Sequence, residues 1–171
     1  YYIWPKTNVV TVAQDGSGDF NGTTNEPIQQ AIDYLHSLGG GTVVIKPGTY
    51  ILNDTGTYSM PIVVYDNIWI KGTNRDSVIL KFSDGSTNKR GITSRGIVKN
   101  IRIENLTIDG NKQNSPGGAT ATHVWYNGIE IDGNWHDDRP SADSELVKDI
   151  IINNCVIKNL WRRGVGSDVG R

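Results

Sequence analysis

The chain has 171 residues, enough for one domain that buries roughly 70% of its unfolded surface. Only 36% of the residues are hydrophobic and 20 are glycine, a turn-rich balance that excludes a helical bundle. The formal net charge of −1 marks neither a nucleic-acid binder nor a membrane-surface protein, and no apolar run approaches the roughly 20 residues of a bilayer span.

Val9-Val10-Thr11-Val12-Ala13 is rich in β-branched residues and predicts a first strand. Asp15-Gly16-Ser17-Gly18-Asp19 follows as a turn. One helix comes next. Pro27 suits its first turn, Thr24 and Asn25 are candidate caps, and Ile28, Ala31, Ile32 and Leu35 recur at helical spacing, with Leu38 extending the stripe. Gly39-Gly40-Gly41 ends it, because glycine takes the left-handed conformation without penalty.

Beyond the helix, short β-rich runs alternate with turns: 42–45, 50–52, 62–64, 68–70, 78–80, 101–103, 106–108, 128–131, 150–152 and 155–157. No second helix-period segment separates them, which argues against alternating strands and helices. Cys155 is the sole cysteine, so there is no intrachain disulfide and no cysteine metal site. In its apolar run it reads as a small core residue.

Internal similarity decides between a sandwich and a solenoid. Residues 66–72 lie over 99–105, 99–108 over 148–157, and 126–132 over 162–168. Two strand types recur in the same order, as expected when corresponding strands of successive coils stack in register. The fold class that follows is all-β: a right-handed parallel β-helix, or solenoid, with an N-terminal capping α-helix. Residues 1–41 form the first strand and cap, and 42–171 the first coils of the same domain. A solenoid end exposes apolar, unpaired edges, and the helix is a suitable lid for one of them. The chain stops at Arg171 straight after a strand segment, so the natural protein is expected to continue and this β-helix to be truncated at its C-terminal end. The unequal offsets place insertions at 111–125 and 134–146, the kind of loops that build a binding groove. Asn105 and Asn154 take equivalent corners, where asparagine tolerates tight backbone angles and bonds to its neighbour in the next coil.

The stretch 12–50, with its Asp-Gly turn, Ile28-Gln29-Gln30-Ala31-Ile32-Asp33 and Pro47-Gly48-Thr49-Tyr50, resembles the opening of the pectate-lyase-like β-helix superfamily. Its members are carbohydrate-active enzymes and phage tailspike-type proteins. Gly91-Ile92, Asn105-Leu106-Thr107-Ile108-Asp109-Gly110-Asn111 and Trp125-Tyr126-Asn127-Gly128, followed by 149–164, look like the catalytic module of bacterial mannuronan C5-epimerases. That family carries a Tyr-Gly-Phe-Asp-Pro-His catalytic motif where this sequence has Arg163-Gly164-Val165-Gly166-Ser167-Asp168. The tyrosine, aspartate and histidine are therefore replaced by Arg163, Gly166 and Asp168, and the catalytic residues of the family do not carry over.

Other chemistry has to be read from the residues themselves. A uronate lyase or epimerase needs a cation on the C5 carboxylate and a base at the adjacent proton. Arg162 and Arg163 beside Asp168 are the candidates, since the planar guanidinium fork grips carboxylate through two hydrogen bonds. Asp132 and Asp168 fall at equivalent positions of consecutive coils, about 4.8 Å apart. That pair suits the two carboxylates of a glycoside hydrolase. Together with Glu130 it also suits Ca2+, the one cofactor the residues suggest. His123, Trp125 and Tyr126 are the candidate substrate-binding residues, as aromatic rings stack on pyranose faces. His136-Asp137-Asp138 is a weaker cation candidate, and Asp109-Gly110-Asn111 reads as a turn.

The leading expectation is a secreted, carbohydrate-active β-helix acting on an acidic polysaccharide by lyase or C5-epimerase chemistry. One rival is a glycoside hydrolase using the paired aspartates. The other is a non-catalytic tailspike or adhesin-type module on a virion surface, for which a homotrimer is expected. Polysaccharide is the expected partner in each case, with no nucleic acid and no membrane.

Overall fold

The computed structural model describes residues 8–53, 60–86, 89–115, 126–131 and 148–166. Strand β1 (Val9–Ala13) opens the fold, and β2 (Phe20–Asn21) folds back across the turn to pair with it in parallel. Helix α1 (Asn25–Ser37) starts where Thr24 Oγ1 accepts the Glu26 N–H at 3.3 Å. It closes where Gly40 N donates to Leu35 O at 2.9 Å, with Gly39 in the left-handed region at φ 87°. Pro27, Ile28, Ala31, Ile32 and Leu35 form its buried stripe.

Four coils follow among the described residues, each of three short strands. The first is β3 (Gly41–Ile45), β4 (Gly48–Leu52) and β5 (Ile62–Val64). The second is β6 (Ile68–Gly72), β7 (Val78–Phe82) and β8 (Lys89–Ser94). The third is β9 (Lys99–Glu104), β10 (Thr107–Asp109) and β11 (Tyr126–Glu130), and the fourth β12 (Lys148–Asn153), β13 (Val156–Lys158) and β14 (Val165–Gly166). Corresponding strands stack into three parallel sheets. The first sheet runs β12-β9-β6-β3-β1-β2, the second β13-β10-β7-β4, and the third β14-β11-β8-β5. The chain is thus a right-handed parallel β-helix, and the three repeats found in the sequence are its registers. Ile70 stands level with Ile103, Ile101 with Ile150, Thr107 with Val156 and Ile129 with Val165.

Parallel stacking places like residues over like, so the core is built of columns. Val43, Ile70 and Ile103 form one on the first sheet, Tyr50, Leu80 and Ile108 one on the second, and Ile62, Ile92 and Ile129 one on the third. Every member is fully buried, each contributing about 1.5–3 kcal/mol. At the corners Asn105 and Asn154 adopt φ 57° and 47°, and Asn154 Nδ2 donates to Asn105 Oδ1 at 2.8 Å. Asn67 and Asn100 repeat the device at 2.7 Å. The third sheet carries a tighter constraint: a Cβ on Gly91 would stand 2.5 Å from Gly128 O, so only glycine lets these coils approach.

The helix caps this stack with side-chain amides as well as with its apolar stripe. β5 is the edge of the third sheet, and Gln29 treats it as a strand partner would. Its Oε1 accepts the Val63 N–H at 2.7 Å and its Nε2 donates to Val63 O at 3.2 Å. Asn25 does the same one step along, donating to Pro61 O at 3.0 Å and accepting from Asn53 N at 2.9 Å. At the other end of the described stack Ile150, Ile152, Cys155, Ile157, Leu160 and Trp161 are only partly buried. Cys155 precedes β13 rather than lying in it, and burial pushes its thiol pKa up. No helix of the described residues is long and apolar enough to cross a membrane.

Candidate functional site on the third sheet

The first two sheets alternate buried and partly exposed residues, as Ile68–Gly72 and Val78–Phe82 do. The third does not. All residues of β8 and all of β11 are buried, on both faces, although many are polar: Lys89, Arg90, Thr93, Ser94, Asn127 and Glu130. Burying so many polar groups is costly unless they satisfy one another.

Several of them do so in a chain that runs from β8 through β11 toward β14. Arg90 Nε lies 2.7 Å from Glu130 Oε2, with both side chains almost fully buried. Asn127, level with Arg90 in the β8–β11 register, donates from Nδ2 to the same carboxylate oxygen at 2.8 Å. Its Oδ1 accepts the Arg163 N–H at 3.2 Å, which pins the residue two before β14. Lys89 points inward, donating to Leu52 O at 2.7 Å, Ser86 Oγ at 2.9 Å and Ser83 Oγ at 3.1 Å.

Arg162 and Arg163, the candidate carboxylate grip, are exposed and stand one glycine ahead of β14. Among the described residues no hydrogen bond or ion pair engages the Arg163 guanidinium, whose Cδ lies near Gly166. Asp132, Asp168, His123 and Trp125 lie outside the described residues, as do His136, Asp137 and Asp138. Two residues ahead of the paired aspartates, Glu130 and Gly166 are level in the β11–β14 register.

Tyr126 is corrected by the structure. Its ring is fully buried, packed edge-on against Phe82 with centroids 5.2 Å apart. Its hydroxyl donates to Gly110 O at 2.6 Å and contacts Ser115 Oγ, so it offers no face to a sugar. The loop-aromatic reading failed because Tyr126 opens a strand, and strand position turned the ring inward. Glu130, the third member of the calcium grouping, has its Oε2 engaged by Arg90 and Asn127. Among the described residues no group of three or more His, Cys, Asp or Glu is placed to hold a metal. Asp109 is a turn residue, accepting from Asn111 N at 2.9 Å and Asn159 Nδ2 at 3.0 Å.

The Arg90–Glu130 pair was not foreseen. Its sequence signal was faint, because finding it requires knowing that 89–94 is a strand stacked under 126–130.

No protein-family model matches the sequence. The mannuronan C5-epimerase AlgE6 of Azotobacter vinelandii is 36% identical over 110 residues, covering 59% of this chain and 12% of that protein. Alginate lyase 7 of the same organism is 30% identical over 128 residues, covering 70% and 14%. Among solved structures, the AlgE6 A-module matches with a TM-score of 0.61 at 25% identity, over 84% of this chain and 35% of that one. The AlgE4 A-module matches with a TM-score of 0.65 at 21% identity, over 92% and 41%, a likeness of fold. The chain is therefore a parallel β-helix of the same fold as those A-modules. In sequence it is similar to the Azotobacter vinelandii mannuronan C5-epimerases. It spans 6% to 20% of the length of the curated relatives it matches.

Proposed function

We propose that this β-helix works on an acidic polysaccharide, a uronate polymer, by lyase or C5-epimerase chemistry, with the exposed rim of the third sheet as the working edge. The observation that carries the reading is Arg163: an exposed guanidinium without an ion-pair partner among the described residues, on a main chain held by Asn127. The activities for which the relatives are named, mannuronan epimerisation and alginate lysis, share one first step.

In that step a base removes the C5 proton while a cation holds the adjacent carboxylate, and the electron pair moves into the carboxylate as an enediolate. Arg162 and Arg163 supply the cation and Asp168 accepts the proton. In a lyase the pair then expels the 4-linked sugar oxygen, which takes up the proton held by Asp168 as a C4–C5 double bond forms. In an epimerase water delivers a proton to C5 from the opposite face, and Asp168 returns its own proton to the resulting hydroxide. The buried Arg90–Glu130 pair holds the strands behind this rim in place and touches no substrate. Substrates of this size lie outside cells, so the site of action is extracellular.

The test incubates the full-length protein with polymannuronate, alginate and pectate. Ultraviolet absorbance from unsaturated ends reports a lyase, and NMR in deuterated water reports C5 exchange and inversion. Inactivity on every uronate overturns the reading. New reducing ends without absorbance replace it with the glycoside hydrolase.

A further inference from the structure

The polar stripe of the capping helix ends at a second group of side chains that the site above does not use. Asp33 accepts from Gln29 Nε2 at 2.8 Å, so the residue that clamps β5 also orients this carboxylate. One turn on, the His36 imidazole stacks on the Tyr65 ring, with centroids 4.1 Å apart and planes 18° from parallel. Tyr65 directly follows β5, and Arg95 directly follows β8; the preceding residues, Val64 and Ser94, are paired in register. Tyr65 and Arg95 thus stand side by side at the end of the third sheet nearest the cap. Burial, and next the charge of Asp33, push the Tyr65 phenol pKa up, so it remains a hydrogen-bond donor at every physiological pH. Arg95 is exposed, and among the described residues no hydrogen bond or ion pair engages its guanidinium.

A cation beside a flat aromatic stack matches an acidic pyranose: the fork takes a carboxylate and the ring face takes the sugar's C–H face. Asp33 opposes an anion here, but its carboxylate is engaged by Gln29. The geometry points to a second uronate subsite at the capped end of the third sheet, with Arg95 receiving the carboxylate and the His36–Tyr65 stack bearing the ring. It rests on the uronate reading above and extends it. Three strand spacings, roughly 14 Å, separate β5 from β14, so a long oligouronate reaches both rims and a disaccharide only one.

The experiment measures binding of saturated oligomannuronates and oligogalacturonates of graded length to the full-length protein by calorimetry. Arg95→Ala and His36→Ala lie on the surface and leave the core intact. Each is expected to weaken long oligomers about tenfold and to leave disaccharide binding unchanged. Long oligomers bound equally by wild type and both variants overturn the subsite while leaving the uronate reading standing. No uronate bound by the wild-type protein overturns both.

Discussion

The first and third sheets are made by the same coils, yet they face their surroundings differently. On the first sheet the outer row Trp69, Lys71, Arg102 and Glu104 is a half-exposed network in which only Glu104 is buried. Arg102 stacks 4.6 Å from the Trp69 ring and bonds Glu104 at 2.7 Å, while Lys71 is 40% exposed. On the third sheet the corresponding layer is a buried ion pair, Arg90–Glu130, with Asn127 bridging to the next coil. One wall keeps its cations half in solvent; the other buries both partners of its ion pair. Solenoid geometry explains how both arise from one repeat: inward positions are fixed by the columns, whereas each outward row is free to specialise.

Breaking the buried pair should have the largest effect. Glu130→Leu leaves Arg90 buried without its carboxylate and is expected to cost about 3–5 kcal/mol, read by chemical denaturation. The double change Arg90→Met with Glu130→Leu should restore most of that, and strict additivity of the two single losses would refute the coupling. Ile103→Ala, in the shared core, should cost about 2–5 kcal/mol. It gives the scale against which either outer face is judged.

Smaller effects separate the corners from the faces. Asn154→Ala loses its bond to Asn105 and strains a left-handed residue, about 1–2 kcal/mol, whereas Asn154→Gly should lose less. On the exposed first sheet Lys71→Ala should cost under about 0.5 kcal/mol. A larger loss would erase the contrast between the walls.

Asp19, at the capped end, provides a pH test. Its carboxylate accepts from Thr11 N and Oγ1, both at 2.8 Å, and these bonds hold its pKa below 3.8. A depressed folded-state pKa stabilises the fold above 3.8, and that stability fades as pH falls through the folded value. Wild type and Asp19→Asn should therefore differ at neutral pH and converge in acid, as monitored by thermal melts. A difference that persists at low pH contradicts this assignment.

Much of the fold was legible because parallel stacking writes itself into sequence as repeats, and the three offsets proved to be the strand registers. Strand β8 was not, since Lys89-Arg90-Gly91-Ile92-Thr93-Ser94 holds a single large apolar residue and its burial comes from neighbours on both sides. β2, two residues long, left no periodic mark. The site was less legible for the same reason. Arg162 and Arg163 announce themselves as charges beside a strand, but the Arg90–Glu130 pair spans 40 residues and the His36–Tyr65 stack 29, joined only by tertiary structure. Tyr126 shows the converse error, an aromatic near a loop that the strand turned into core.

The claim beneath all of this is that the third sheet's rim, not the first sheet's outer face, meets the acidic polymer. Affinity for a long oligouronate, measured for wild type, Arg163→Ala and Trp69→Ala, tests it directly. Arg163→Ala should bind about tenfold more weakly, with Trp69→Ala unchanged. Loss on Trp69→Ala with Arg163→Ala unaffected would contradict it.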